Sequence, residues 1–231
     1  MIGILGGMGT QAGLDFCNKL AKLNRGKLDQ QYPMFVLYNK SNTPKRPENL
    51  KKYYNVLKAL VDGCKMLQKN KCKFIVMPCN TAHYWHKDIQ KKIKIPLLSM
   101  PKEVYLHTKK TCKKNSTIGI LCTEATLKTN IYNDYFDKNF KLISPEKNLQ
   151  KNSVNKAIKF VKMGKVKEAE IALRSAVKYL IKKKCKKIIL GCTELPIAIF
   201  AYKSFRKAKE SKLFIDPNLL LAEVCMKKYK R

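Results

Sequence analysis

The chain has 231 residues, enough to bury a core of its own without disulfide staples, and 45% of them are hydrophobic, which excludes a disordered polyelectrolyte. Its 49 Lys and Arg against 16 Asp and Glu give a formal charge of +33, which invites a nucleic-acid reading. That excess is spread evenly, +17 over residues 1–116 and +16 over residues 117–231, so there is neither a basic arm nor an acidic tail.

In chain order, short apolar runs predict strands at 2–5, 33–38, 73–78, 96–98, 117–122, 187–190 and 212–215. Helix-period stretches lie between them, near 11–24, 50–69, 81–93, 126–137, 153–163, 166–184 and 217–229. The strand runs are continuous rather than alternating, which predicts burial on both faces. Strands that alternate with helices predict parallel pairing through crossovers. The fold class is therefore α/β, doubly wound.

An internal repeat divides the chain. Ile2-Gly3-Ile4-Leu5 recurs as Ile118-Gly119-Ile120-Leu121, 116 residues later. The segment from Cys72 to Cys79 recurs from Cys185 to Cys192, 113 residues later. In each copy a Lys-rich helix end leads into an apolar strand that stops at a Cys. Two matches in one order at nearly one offset predict two pseudo-symmetric lobes, 1–98 and 116–213, each with a mainly parallel sheet flanked by helices. Residues 99–115 connect them, helix 217–231 packs back on the N-terminal lobe, and the active site is expected in the cleft between the lobes.

Nine cysteines, an odd number with no Cys-x-x-Cys, fit neither a disulfide framework nor a zinc ribbon, so a reducing cytoplasm is expected. The opening Ile2-Gly3-Ile4-Leu5-Gly6-Gly7 reads as a buried strand and turn, not a signal peptide. No apolar stretch reaches the roughly 18 residues of a membrane span, and no membrane partner is expected.

Parallel α/β sheets bind ligands beyond the carboxyl ends of their strands, where Cys79 and Cys192 both fall. Asn80-Thr81 and Thr193-Glu194 are cap-type sequences, so each thiol is expected at a helix N-terminus, which would make it acidic. If the lobes face each other, a substrate would meet one sulfur on each face of a single carbon. That suits inversion of a stereocentre, which needs one base and one acid of matched type. Cysteine is also among the most buried residue types, and Cys17, Cys64, Cys72, Cys112, Cys185 and Cys225 read as core or incidental. The turn Gly6-Gly7-Met8-Gly9-Thr10 would offer backbone N–H groups to an anion, with Thr123 to Thr126 as its counterpart. Asn80, Thr81 and Thr193 would add donors to a carboxylate. Arg46, between Pro44 and Pro47, is either a carboxylate clamp or an ordinary loop residue, and spacing does not decide between them.

With these motifs together, the sequence resembles the aspartate racemase branch of the aspartate/glutamate racemase superfamily over its whole length. Gly6-Gly7-Met8-Gly9, Pro78-Cys79-Asn80-Thr81-Ala82-His83 and Gly191-Cys192-Thr193-Glu194-Leu195-Pro196 carry the resemblance. Glu194 after Cys-Thr is more like aspartate racemases than glutamate racemases, which usually have His there. The resemblance implies a cofactor-independent racemase that interconverts L- and D-aspartate, with Cys79 and Cys192 as its two acid/base residues. It implies that Asn80, Thr81 and Thr193 bind the α-carboxylate with backbone donors of Met8 and Thr126. It further implies that Arg46 contacts the side-chain carboxylate, aided by Lys162, and that the chain forms a homodimer. Thr10, Lys45 and Glu124 depart from the family pattern, and Glu124 would oppose an anionic substrate unless it points away.

Other readings stay open at this point. Glutamate racemisation, broad specificity, or a hydantoin racemase, maleate isomerase or lyase reaction would use the same fold. Cys79, His83 and His86 have a spacing that a metal could use, although no metal is expected because no further Cys/His pair is near in sequence. A nucleic-acid-binding protein would be expected to favour Arg, yet only Arg25, Arg46, Arg174, Arg206 and Arg231 occur, and no helix-turn-helix or finger spacing is present. The expected partner is a small amino dicarboxylic acid, with no specific nucleic acid.

Overall fold

The computed structural model describes residues 1–24, 28–45, 52–136, 139–201 and 212–229. The chain divides into two units, Met1–Glu103 with Asn218–Arg231, and Val104–Pro217. The first unit contains β1 (Ile2–Gly6), α1 (Thr10–Leu23), β2 (Phe35–Asn39), α2 (Tyr53–Lys69), β3 (Phe74–Val76) and α3 (His86–Gln90). The boundary falls inside α4 (Met100–Thr111). The second unit continues with β4 (Thr117–Cys122), α5 (Glu124–Lys128), α6 (Asn133–Phe136), β5 (Lys141–Ile143) and α7 (Lys147–Leu149). A π-helical stretch, Gln150–Asn155, leads into α8 (Lys156–Lys162), α9 (Val166–Lys182), β6 (Lys187–Gly191), α10 (Leu195–Ala201) and β7 (Phe214–Ile215). The last helix, α11 (Pro217–Tyr229), returns to the first unit.

Both sheets are wholly parallel, in the orders β2-β1-β3 and β5-β4-β6-β7. The fold is α/β, with helices on both faces of the first sheet. Leu5 and Ile75 join Val56, Leu60 and Leu67 of α2 on one face. Ile2, Ile4, Phe74 and Val76 join Phe16 and Leu20 of α1 and Leu221 and Cys225 of α11 on the other. The continuous apolar runs follow from this, because successive strand residues point to opposite faces and both are covered. Helix α11 is also tied at its ends: Asn218 Nδ2 donates to Asp15 at 3.2 Å, and the Tyr229 hydroxyl accepts the Met34 N–H at 3.2 Å.

The sequence repeat has a physical counterpart in each unit. Gly3 pairs with Ile75, and Gly119 pairs with Ile188. Each preceding helix ends with a lysine in the left-handed region, Lys71 and Lys184, both at φ 57°. The following cysteine N–H then closes back on the helix, Cys72 on the Leu67 carbonyl at 3.4 Å and Cys185 on the Leu180 carbonyl at 3.2 Å. The side chains of these cysteines fill the space that the strand glycines leave. A Cβ on Gly3 would lie 3.2 Å from Cys72 Sγ, and one on Gly119 would lie 3.2 Å from Cys185 Sγ. Glycine, cysteine and apolar strand therefore recur together because they are one packing unit.

Several elements differ from the sequence reading. The strand expected at 96–98 is a single parallel bridge from Leu97 to Ile75. The helix expected over 126–137 is two short helices, α5 and α6, with Asn130 between them at φ 52°. Residues 99–115, read as a connection, contain the twelve-residue helix α4. Strand β5 has three residues and pairs only with β4, too short to leave a periodic signal. No helix among the described residues is long and apolar enough to cross a membrane.

Candidate active site

In the first unit, the carboxyl ends of β1, β2 and β3 converge on a glycine turn and a thiol. Gly7 has φ +84°, and a Cβ there would lie 2.5 Å from the Lys40 carbonyl oxygen and 2.6 Å from the Ser41 nitrogen. Only glycine lets this turn lie against the loop that follows β2. Met8 is buried just beyond it, and Gly9 caps α1 in extended conformation. Thr10 accepts from Asn39 Nδ2 at 3.2 Å and so ties the turn to the end of β2.

Cys79 is buried beyond the end of β3. Its N–H donates to the Met77 carbonyl at 2.7 Å. Asn80 caps a 3₁₀ turn, Thr81–Trp85, that runs into α3, and Asn80 and Thr81 are both buried. His83 braces this segment. Its Nε2 accepts the Met100 N–H at 3.1 Å, which leaves Nδ1 to carry the proton given to the Cys79 carbonyl at 2.9 Å. Burial, aided by His86, lowers its pKa to about 4. His86 Nε2 bonds the Leu97 carbonyl at 2.8 Å. The two histidines in the spacing that suggested a metal are thus bonded to backbone, and the described residues hold no group of three or more His, Cys, Asp or Glu placed to bind a metal ion.

In the second unit, Thr123 follows β4, and its Oγ1 caps α5 by accepting the Thr126 N–H at 3.2 Å. The Thr126 amide expected to serve a substrate carboxylate is therefore already engaged, although its hydroxyl lies 3.0 Å from that of Thr123. Glu124 is exposed and accepts from Asn155 Nδ2 at 2.8 Å.

Cys192 follows β6 and starts the turn into α10, with its carbonyl accepting the Leu195 N–H at 3.0 Å. Its thiol donates to Glu194 Oε2 at 3.0 Å. The Thr193 hydroxyl donates to the same oxygen at 3.3 Å. Lys162 Nζ lies 3.7 Å from Glu194 Oε1, with Glu194 buried and Lys162 largely exposed. The acidic thiol expected at this helix start is not what the surroundings produce. Burial, then the charge and hydrogen bond of Glu194, push the Cys192 pKa well above the ordinary thiol value. The Glu194 N–H and Lys162 act in the other direction and are outweighed. Tyr132, which no motif singled out, is buried within electrostatic reach of Cys192, Cys122 and Asp216, and its pKa is also raised well above normal, mainly by burial.

The sequence-predicted residues thus fall into one group in each unit: Met8, Cys79, Asn80 and Thr81 in the first, and Thr126, Cys192 and Thr193 in the second, with Lys162 at the end of α8. Arg46 lies outside the described residues.

Comparison with known proteins gives consistent matches. The family described as Asp/Glu/Hydantoin racemase matches residues 5–225. The broad specificity amino-acid racemase RacX of Bacillus subtilis is 30% identical over 199 residues, 84% of this chain and 86% of that protein. The structure of Picrophilus torridus aspartate racemase superposes with a TM-score of 0.84 at 28% identity, covering 99% of this chain and 94% of the other. A glutamate racemase from Francisella tularensis, solved with D-glutamate, shares the fold at a TM-score of 0.72 and 21% identity, covering 98% of this chain and 80% of the other.

Proposed function

Since the chain belongs to the Asp/Glu/Hydantoin racemase family and is an amino-acid racemase, we propose that it interconverts L- and D-aspartate by two-base proton transfer between Cys79 and Cys192. The observation that supports this best is the repeated register. Each unit places a buried cysteine four residues beyond the isoleucine that pairs with its strand glycine, Cys79 after Ile75 and Cys192 after Ile188. A racemase needs such a matched pair, because the α-proton leaves one face of the carbon and another arrives at the opposite face.

In this reading a thiolate removes the α-proton while the other thiol delivers one. The developing charge is shared with the α-carboxylate, so donors aimed at that carboxylate stabilise the transition state. Asn80, Thr81, Thr193, the Met8 backbone and Thr126 supply this group. Arg46 holds the side-chain carboxylate. Lys162 assists from the second unit through its partner Glu194. The chemistry uses no cofactor, and the working form is a cytoplasmic homodimer. The likeness to an aspartate racemase supports aspartate as substrate, whereas the RacX likeness supports a wider range as the second reading.

The test is incubation of the purified protein with single enantiomers, followed by chiral chromatography. Either aspartate enantiomer should approach an equal mixture. Turnover of glutamate or other amino acids at comparable rates would favour the broad reading. Inertness toward both enantiomers of both dicarboxylic amino acids would remove the proposal.

A further inference from the structure

We infer that Glu194 is the proton acceptor of Cys192, with Lys162 as the ammonium that steadies its carboxylate. The inference rests on the reading of Cys192 as an acid/base residue. A buried carboxylate is costly unless paired, and here the Glu194 carboxylate meets Cys192, Thr193 and Lys162. Oε2 receives the Cys192 thiol at 3.0 Å and the Thr193 hydroxyl at 3.3 Å, while Oε1 faces Lys162 Nζ at 3.7 Å. The family resemblance implies that Lys162 helps Arg46 at the substrate's side-chain carboxylate. The geometry instead gives its charge to a carboxylate that the protein supplies.

This arrangement solves a difficulty of the site. Cys192 is kept protonated by burial and by the Glu194 carboxylate on its own turn, which outweigh the Glu194 N–H and Lys162. A thiol so held keeps a proton to deliver but is seldom ionised to take one. The neighbouring carboxylate gives its proton a place to go. When Cys192 acts as base, its S–H proton passes to Glu194 Oε2 and the resulting thiolate takes the α-proton. The electron pair of the broken C–H bond stays on carbon, and on the opposite face the Cys79 S–H delivers its proton to that pair. The protein then carries a neutral Glu194 acid and a Cys79 thiolate, so its total charge is unchanged. The reverse reaction runs through the same steps backward, with Glu194 returning the proton to Cys192.

The experiment compares wild type with Glu194→Gln, Glu194→Asp, Lys162→Met and Cys192→Ser. One arm follows racemisation across pH. The other follows iodoacetamide alkylation of Cys192 across pH by peptide mass spectrometry, which needs no racemase activity. Glu194→Gln should slow racemisation by about 100-fold or more, yet shift Cys192 alkylation to lower pH. A thiol that becomes easier to ionise in a slower enzyme is what loss of a proton acceptor produces, and a merely misplaced thiol would not show it. Glu194→Asp, which keeps the carboxylate, should recover part of the rate. Lys162→Met, altered from the exposed end of the pair, should shift alkylation to higher pH and keeps the test open if Glu194→Gln does not fold. Wild-type racemisation rates in Glu194→Gln, or no shift of alkylation in any variant, would overturn the inference. Full racemisation by Cys192→Ser would instead overturn the acid/base reading of Cys192. If the wild type moves no α-proton, the alkylation shifts alone decide the Cys192–Glu194 pair.

Discussion

His83 bridges the Cys79 carbonyl, to which its Nδ1 donates at 2.9 Å, and the Met100 N–H, which its Nε2 accepts at 3.1 Å. A second proton on this ring would face the Met100 donor and cost that bond. The pKa of His83 falls from 6.5 to about 4 on folding. Between those values the unfolded chain binds the proton and the folded one does not. The bridge therefore contributes fully above pH 6.5, and its contribution is lost as pH falls toward 4. The loss is about 3 kcal/mol if His83 acts alone. Urea titrations at pH 7, 5.5 and 4.5 should show it, and His83→Gln should flatten the slope over that range while lowering stability at pH 7.

Gly7→Ala should destabilise the protein by about 2–4 kcal/mol, because it combines an unfavourable positive φ with a clash against the Lys40–Ser41 backbone. The check is a lower urea midpoint at unchanged slope. A change within about 0.5 kcal/mol would mean that the turn moves easily away from the β2 loop.

Thr123→Ala removes the side-chain cap of α5 and should cost about 1 kcal/mol. It also releases the Thr126 N–H now held at 3.2 Å. Urea unfolding measures the first effect. A lower KM for aspartate beside reduced stability would show that the amide serves substrate once freed.

The formal charge of +33 should draw an anionic substrate toward the protein, and salt should weaken that pull. The expected result is a several-fold fall in kcat/KM between about 20 and 300 mM salt, carried mostly by KM. An insensitive KM would confine the lysines to solvation.

Cys79→Ser and Cys192→Ser should each lower racemisation by at least about a thousandfold, since a serine hydroxyl is a far weaker acid than a thiol at this task. Circular dichroism and urea midpoints close to wild type would show that the loss is chemical. Retained racemisation by either variant would contradict two-base transfer.

The fold was legible where one residue type serves one packing need. Gly3 and Gly119 make room for Cys72 and Cys185, so the repeat appears in the sequence as paired motifs. Strand β5 escaped notice because three residues pairing on one side carry almost no pattern, and α4 was hidden in a segment read as a connection. At the site, the strand-end cysteines were visible because the chain presents them twice. The charge state of Cys192 was not visible. A helix start lowers a thiol pKa, but burial and the Glu194 contact outweigh it, and both depend on how the turn after Cys192 folds. The Lys162 partner was likewise unreadable, because 32 residues separate Lys162 from the carboxylate it meets. Tyr132 and Asp216 had no motif to mark them.

Two-base transfer leaves an isotopic signature that no structural feature alone reproduces. L-aspartate is incubated with the protein in D₂O and sampled early, and the α-position of each enantiomer is read by chiral separation and mass spectrometry. The D-aspartate formed should carry deuterium, delivered by a thiol that has exchanged with solvent, while the remaining L-aspartate keeps its original hydrogen. Early deuterium in the recovered L-aspartate, at a rate similar to that in the product, would show one group serving both faces and would contradict the pairing of Cys79 with Cys192.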